Sequence, residues 1–302
     1  MATSAPYFVS VGEVLWDSMP SGLFPGGAAM NIGYDLNVLG RRCVIVSRVG
    51  NDFLGEDIRS RLERMGLPTE GLQVDEKLPT GFVRVQLAPG GIPSFQIVEN
   101  VAWDNIQATD EYLRLVREAH VVIFGTLAQR AVVSRRTIRA AWDSVGLKCC
   151  DVNLRPPFDD RTIVLESMEA AEIVKLNHEE LERISTWAGI REASERRCME
   201  TLASRFKIDV LCVTRGANGA ALLRDGEYAS HPGFRVEIGD TVGAGDAFLA
   251  GLLDSLLLGL PTEEALSWAN LCGAHVASKI GGTPPMDRAS VVAFGRTIEV
   301  SA

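Results

Sequence analysis

Apolar positions along this chain gather into short runs separated by stretches with helical periodicity. YFVSVGEV (7–14) reads as a buried strand, and RCVIVSRVG (42–50) as a second. Between them, the stretch from Ala28 to Leu39 reads as a helix that stops at Gly40. FLGEDIRSRLERMG (53–66) has the helical period and ends at Gly66, with Pro68 beyond it. HVVIFG (120–125), LKCCDVN (147–153), EIVKLN (172–177) and IDVLCVTRG (208–216) are strand-like, with helical segments between them. Strands alternating with helices predict an α/β fold whose parallel sheet is covered on both faces. One segment breaks the rhythm: TGFVRVQLAPGGIPSFQIV (80–98) alternates as a hairpin about PGGIP, either a sheet edge or a flap over a site.

Composition narrows the class. The 302 residues are long enough for one large α/β domain or two smaller ones, and no linker or internal repeat divides them. A formal net charge of −9 without any long Lys/Arg cluster argues against nucleic acid as a partner. The six cysteines contain no Cys-x-x-Cys and most lie in apolar runs, as reduced buried thiols do. The start, MATSAPYFVSVGE, lacks the features of a signal peptide, and no apolar run is long enough for a membrane span. The expectation is a cytoplasmic protein.

Absent motifs exclude several chemistries. There is no G-x-x-x-x-G-K-[ST], no G-x-G-x-x-G after the first strand, no H-x-x-x-H and no G-x-S-x-G. What remains is DTVGAGDAFLAG (240–251). Gly243, Ala244 and Gly245 stand where the apolar run FLAGLLDSLLLGL starts a helix, with Asp246 in its first turn. Unpaired N–H groups and a positive dipole end suit an anion there, and the aspartate can serve as cap or base. GGAAMN (26–31) repeats the theme more weakly, with Asn31 one turn inside a helix after a Gly-Gly turn that can equally be structural. Asp17, just past the first strand, is either a polyol ligand or a solvated loop charge. Other strand ends bring Asp151, Asn153 and Arg155; Lys175, Asn177 and Glu180; and Thr214, Arg215 and Gly216 to one sheet edge. Asn177 with Glu180 also reads as a capping box. An anion cradle, an adjacent carboxylate and polyol-binding groups together describe phosphoryl transfer onto a hydroxyl.

On these residues the chain resembles the ribokinase-like (pfkB) family of carbohydrate kinases. GGAAMNIG (26–33), continuing to SRVGNDFLG (47–55), and DTVGAGDAFLAG (240–251) match its two signatures in order. The resemblance implies a single domain over 1–302 with a three-layer α/β/α core, a mainly parallel central sheet, and a small β lid formed by about 15–25 and 78–104. It makes Asp246 the catalytic base and Gly243, Ala244 and Gly245 the anion hole. Asp17, Gly27, Asn31, Phe95, Asn153 and Arg155 become substrate contacts, and Asn177, Thr214, Gly216 and Asn270 nucleotide contacts. Glu180 would organise Mg²⁺ through water. Asp240, Val242 and Gly281 fall where many members bind a monovalent cation such as K⁺, although Lys279 and Pro285 depart from the pattern of strong sites. ATP and a small sugar are the implied partners, with a homodimer through the lid. Because few residues separate Asp17 from Gly26, the N-terminal share of the lid is expected to be short. GEVLWD…PGGAAMN and FGTLAQR…DVNLRPP are most similar to the bacterial fructokinase branch, so fructose is the expected acceptor. Ribose, 2-keto-3-deoxygluconate and nucleosides are the alternatives, and a non-catalytic sugar-binding regulator is the competing class. Phe24, Phe95, Trp103 and Asn105 are the side chains expected to choose among acceptors.

Overall fold

The computed structural model describes residues 6–19, 22–87 and 93–301. In chain order it opens with β1 (Phe8–Val11), β2 (Leu15–Met19), β3 (Gly22–Gly26), α1 (Ala28–Val38), β4 (Cys43–Gly50), α2 (Phe53–Arg64) and β5 (Leu72–Asp75). A hairpin of β6 (Gly81–Leu87) and β7 (Pro93–Ile97) follows, then α3 (Asp110–Glu118), β8 (Val121–Gly125), α4 (Val132–Ala140), β9 (Leu147–Asp151) and α5 (Arg161–Glu169). The remainder runs β10 (Ile173–Asn177), α6 (His178–Trp187), α7 (Glu195–Phe206), β11 (Val210–Thr214), β12 (Ala220–Arg224), β13 (Glu227–His231) and β14 (Phe234–Arg235). It closes with α8 (Ala244–Leu257), α9 (Thr262–Ala277), α10 (Arg288–Gly295) and β15 (Glu299–Val300).

Nine strands form the central sheet in the order β13-β12-β11-β10-β9-β8-β1-β4-β5. All neighbours from β11 to β5 pair parallel, whereas β11–β12 and β12–β13 are antiparallel. Side chains alternate between two faces with the period of two that a strand imposes. Val9, Val122 and Leu211 go to one core with α3 to α7, and Phe8, Ile123 and Cys212 to the other with α1, α8, α9 and α10. Helices on both faces give the expected three layers. Every cysteine described is free, and five of the six are buried. Among the described residues no helix is long and apolar enough to cross a membrane.

A second, four-stranded sheet in the order β3-β2-β6-β7 is built from two separated segments. Here the structure corrects the first predicted strand. The run 7–14 is not one strand, because β1 ends at Val11, the chain turns through Gly12–Glu13, and β2 enters the second sheet. The N-terminal segment therefore supplies two strands of five residues each, the same number of strands as the 81–97 hairpin, instead of a short share. Asp17 lies within β2, opposite Phe24 of β3, rather than in a loop. The base of this sheet is pinned to the core. Asp52, the N-cap of α2, accepts from the Thr80 hydroxyl at 2.6 Å and the Thr80 N–H at 2.8 Å, immediately before β6 starts.

Candidate active site

The carboxyl edge of the central sheet, the start of α1 and the start of α8 converge on one polar cluster. α1 begins where Glu13, buried after β1, accepts the Ala28 N–H at 3.1 Å, a carboxylate at a positive helix end. Gly27 precedes the helix at φ +101°, and a Cβ there would meet the Glu13 carbonyl oxygen at 2.4 Å, so only glycine fits this turn. One turn into α1, buried Asn31 donates from Nδ2 to Asp246 Oδ2 at 2.8 Å, across 215 residues of sequence.

Asp246 reaches that bond from the first turn of α8. Gly243 caps the helix at φ +77°, and a Cβ on it would lie 2.3 Å from the Gly282 carbonyl oxygen. Gly282 in turn packs against the Asn31 amide, where an added Cβ would sit 3.2 Å from Nδ2. The 281–282 loop thus closes against both helix starts. Burial pushes the Asp246 carboxyl up to about 7, with the charge of Asp151 adding to it. Lys175, the Asn31 hydrogen bond and Arg155 pull in the opposite direction. A carboxylate balanced near neutrality, buried behind a glycine turn, has the properties of a general base.

Asp17 faces the same region from the second sheet. Burial raises its carboxyl to about 6, against the lowering charge of Arg155 and with Asp240 adding to the rise. A Cβ on Gly26 would fall 2.0 Å from Asp17 Oδ2, so this glycine makes room for the carboxylate. Asp17, Phe24, Asp240, Val242, Gly281 and Gly282 line one pocket. Asp240 accepts from the Val242 N–H at 3.1 Å and the Gly281 N–H at 3.3 Å, which knits the proposed cation loop together. Ser10, Glu13, Thr126, Asp151 and Asn153 line a narrow cavity with room for about one water at most. Asn153 adopts φ +45°, and Arg155, exposed, bonds the Leu154 carbonyl at 3.1 Å.

The capping-box reading of Asn177 holds: its Oδ1 accepts from Glu180 N–H at 2.9 Å, and Glu180 Oε2 accepts from Asn177 N–H at 2.8 Å. Glu180 also accepts the Leu154 N–H on Oε1 at 2.7 Å, tying α6 to the segment after β9, and burial raises its carboxyl. Thr214 Oγ1 donates to the Leu176 carbonyl at 3.4 Å, and Gly216 opens a short turn at φ +58°. Asn270 is buried in α9 and donates to Leu266 within its own helix at 2.8 Å. Phe95 belongs to β7 by its backbone, and its side chain lies outside the described residues. Trp103 and Asn105 are not in the cleft. Trp103 is fully buried with Arg130 stacked 3.9 Å from its ring, and Asn105 donates to Asp75 at 2.7 Å. Sequence reasoning passed over Glu13; it brought Asp151 and Lys175 to the same sheet edge but not their pairing, buried at 2.8 Å, which only adjacent strands create.

This constellation has counterparts. Residues 20–289 match the pfkB family of carbohydrate kinases. An uncharacterized sugar kinase, PH1459, of Pyrococcus horikoshii is 33% identical, with 92% of this chain and 93% of that protein aligned. Its crystal structure in complex with ATP superposes with a TM-score of 0.82, covering 95% and 97% of the two chains. Fructokinase-1 of Zea mays is 29% identical over 95% of this chain and 96% of its own. A fructokinase of Vibrio cholerae O395, solved in its fructose-, ADP- and calcium-bound form, is 25% identical with a TM-score of 0.80 over 96% and 98%. The fold and the matched signatures therefore define a phosphotransferase of the ribokinase-like class. The chain belongs to the pfkB family of carbohydrate kinases.

Proposed function

We propose that this enzyme transfers the γ-phosphoryl group of ATP to a hydroxyl of a small sugar, with fructose the first candidate acceptor. The observation that carries the reading is Asp246, buried at the start of α8, hydrogen-bonded to Asn31 and poised near neutrality. The sugar is held by Asp17, Gly27, Asn31, Asn153 and Arg155, under a lid formed by the second sheet. As the hydroxyl oxygen bonds to the γ-phosphorus, the bond to the bridging oxygen of ADP breaks and the proton passes to Asp246. The N–H groups of Gly243, Ala244 and Gly245 take up the charge of the transferred group. Asn177, Thr214, Gly216 and Asn270 are assigned to the nucleotide, and Asp240, Val242 and Gly281 to a monovalent cation. The ATP-bound P. horikoshii enzyme and the fructose-bound V. cholerae enzyme support the donor and acceptor classes.

A divalent ion suits the cluster, because Glu13, Asp151, Glu180 and Asp246 outnumber Lys175 and Arg155 there and Asp151 Oδ2 is buried without a partner. Among the described residues no three acidic, histidine or cysteine side chains form a cage, and both Glu180 oxygens accept backbone N–H groups, so Glu180 would hold Mg²⁺ through water, together with the phosphates. Mg²⁺ supplies charge neutralisation to those phosphates when bound. The whole chain is taken as one kinase domain in the cytoplasm, and pairing of two lids into a homodimer rests on the family resemblance.

The test is ADP release from MgATP with fructose, ribose, 2-keto-3-deoxygluconate, tagatose, glucose and adenosine, beside Asp246→Asn. Turnover with one acceptor, reduced by a few orders of magnitude in the variant while the sugar still binds, is the expected result. A variant that keeps near wild-type kcat removes Asp246 from its role.

A further inference from the structure

Among the described lysines only Lys175 is buried. It stands on β10 with Nζ 2.8 Å from Asp151 Oδ1, in a side chain 8% exposed. A Cβ on Gly245 would lie 3.4 Å from the same Nζ, so the ammonium sits against the first turn of α8. This placement is costly without negative charge nearby, because the helix start is itself positive and a buried charge needs compensation. Asp151 supplies one counter-charge, yet its Oδ2 remains buried and without a partner. A structural ion pair would have no reason to lie under the glycine turn that the phosphoryl group must approach.

We propose that Lys175 is a positioning residue for phosphoryl transfer: clamped by Asp151 beneath Gly245, it fixes a positive charge against the first turn of α8, the turn that carries Asp246 and receives the phosphoryl group. The inference rests on the kinase reading above. Asp246 faces Lys175 from β10, Asp151 from β9, Arg155 from the segment after β9, and Asn31 and Asp35 from α1. Lys175 faces Glu180 of α6 as well. Lys175 favours the ionised carboxylate and Asp151 opposes it, so removing either moves Asp246 in opposite directions. A role confined to folding would not separate the two in this way.

The experiment compares Lys175→Met, Lys175→Arg and Asp151→Asn with the wild-type enzyme, after near-ultraviolet circular dichroism confirms the fold. Two readouts are taken: the acid limb of the kcat–pH profile, and the pH titration of the Asp246 carboxyl carbon by NMR, assigned by its loss in Asp246→Asn. Lys175→Met is expected to lower kcat at pH 7 at least ~10-fold and to move both readouts to higher pH by about one unit, on the scale of a close charge pair. Sugar KM changes little, Lys175→Arg restores most of the activity, and Asp151→Asn moves both readouts to lower pH. Should Lys175→Met fail to fold, Lys175→Gln takes its place: an upward shift of both readouts supports the assignment and an unmoved limb overturns it. Shifts in the same direction in the two neutral variants, or none, overturn it while leaving the kinase reading intact. Wild-type enzyme that phosphorylates no acceptor removes both.

Discussion

The glycine turn at the start of α8 can be tested by asking which of its two glycines the fold requires. Gly243 sits at φ +77°, where an L-residue pays about 1–2 kcal/mol, and a Cβ would approach the Gly282 carbonyl oxygen to 2.3 Å. Normal contact needs close to 1 Å more, and both partners are backbone, so the 281–282 loop must retreat at an overpacking cost of about 1–3 kcal/mol. Gly243→Ala should therefore destabilise by roughly 2–5 kcal/mol, a fall in Tm of roughly 3–8 °C at this chain length. Because Gly282 also backs Asn31, the retreat should loosen the Asn31–Asp246 bond and lower kcat beyond the loss of stability. Gly245 is a contrasting case. It has ordinary helical φ, and its added Cβ would meet only the Lys175 side chain at 3.4 Å. Alanine there also gains up to ~1 kcal/mol of helix propensity, so Gly245→Ala should keep or raise Tm. Thermal unfolding and kcat at saturating substrate, measured for both variants, decide the matter. A Gly243→Ala enzyme with unchanged Tm and kcat, or a Gly245→Ala enzyme as unstable as Gly243→Ala, would refute the reasoning.

Three further outcomes follow from particular contacts. Asp246 has a folded pKa of about 7 against an ordinary 3.8, so the native state binds the extra proton and its stability falls as pH rises from 4 to 7. Asp246→Asn removes that cost, and urea unfolding should show the variant ahead of wild type at pH 8 by up to about 4 kcal/mol but not at pH 4; an equal gap at both pH values counts against it. Gly26→Ala places a Cβ 2.0 Å from Asp17 Oδ2 and displaces that carboxylate, so sugar KM should rise several-fold with the KM for ATP unchanged. Equal effects on both constants would show that Asp17 does not read the sugar. Far from the cleft, buried Asp254 accepts from Arg41 Nε at 2.7 Å, Arg288 Nη2 at 2.6 Å and Trp268 Nε1 at 3.0 Å. Asp254→Ala removes both ion pairs and the Trp268 acceptor, and because the Arg41 and Arg288 side chains are 23% and 40% exposed, chemical denaturation should report a loss of about 1–3 kcal/mol. A loss below 1 kcal/mol would mean that water replaces the carboxylate.

What the sequence could and could not disclose follows from the range over which each signal acts. The parallel strands, the capping box at Asn177–Glu180 and the glycine turn at Gly243–Gly245 are local, and each announces itself through spacing, propensity or a positive φ. The hairpin of β12 and β13 was equally local, with Asp225–Gly226 at φ +51° and +81° between alternating arms, and Asp-Gly there is a strong turn signal that was passed over. The break between β1 and β2 was hidden because apolar residues continue through it: Val14 and Trp16 pack a third core with α2, so hydrophobicity marks burial without telling which sheet does the burying. The chemistry of the site is non-local. Asn31 and Asp246 meet across 215 residues, and Lys175 and Asp151 meet only because β9 and β10 are neighbours in the sheet. IVKLN places Lys175 at the sheet edge, but its meaning comes from the helix end laid over it. The glycines of α8 point to an anion, but the buried charges that make its neighbouring carboxylate a base emerge only when the sheet is assembled.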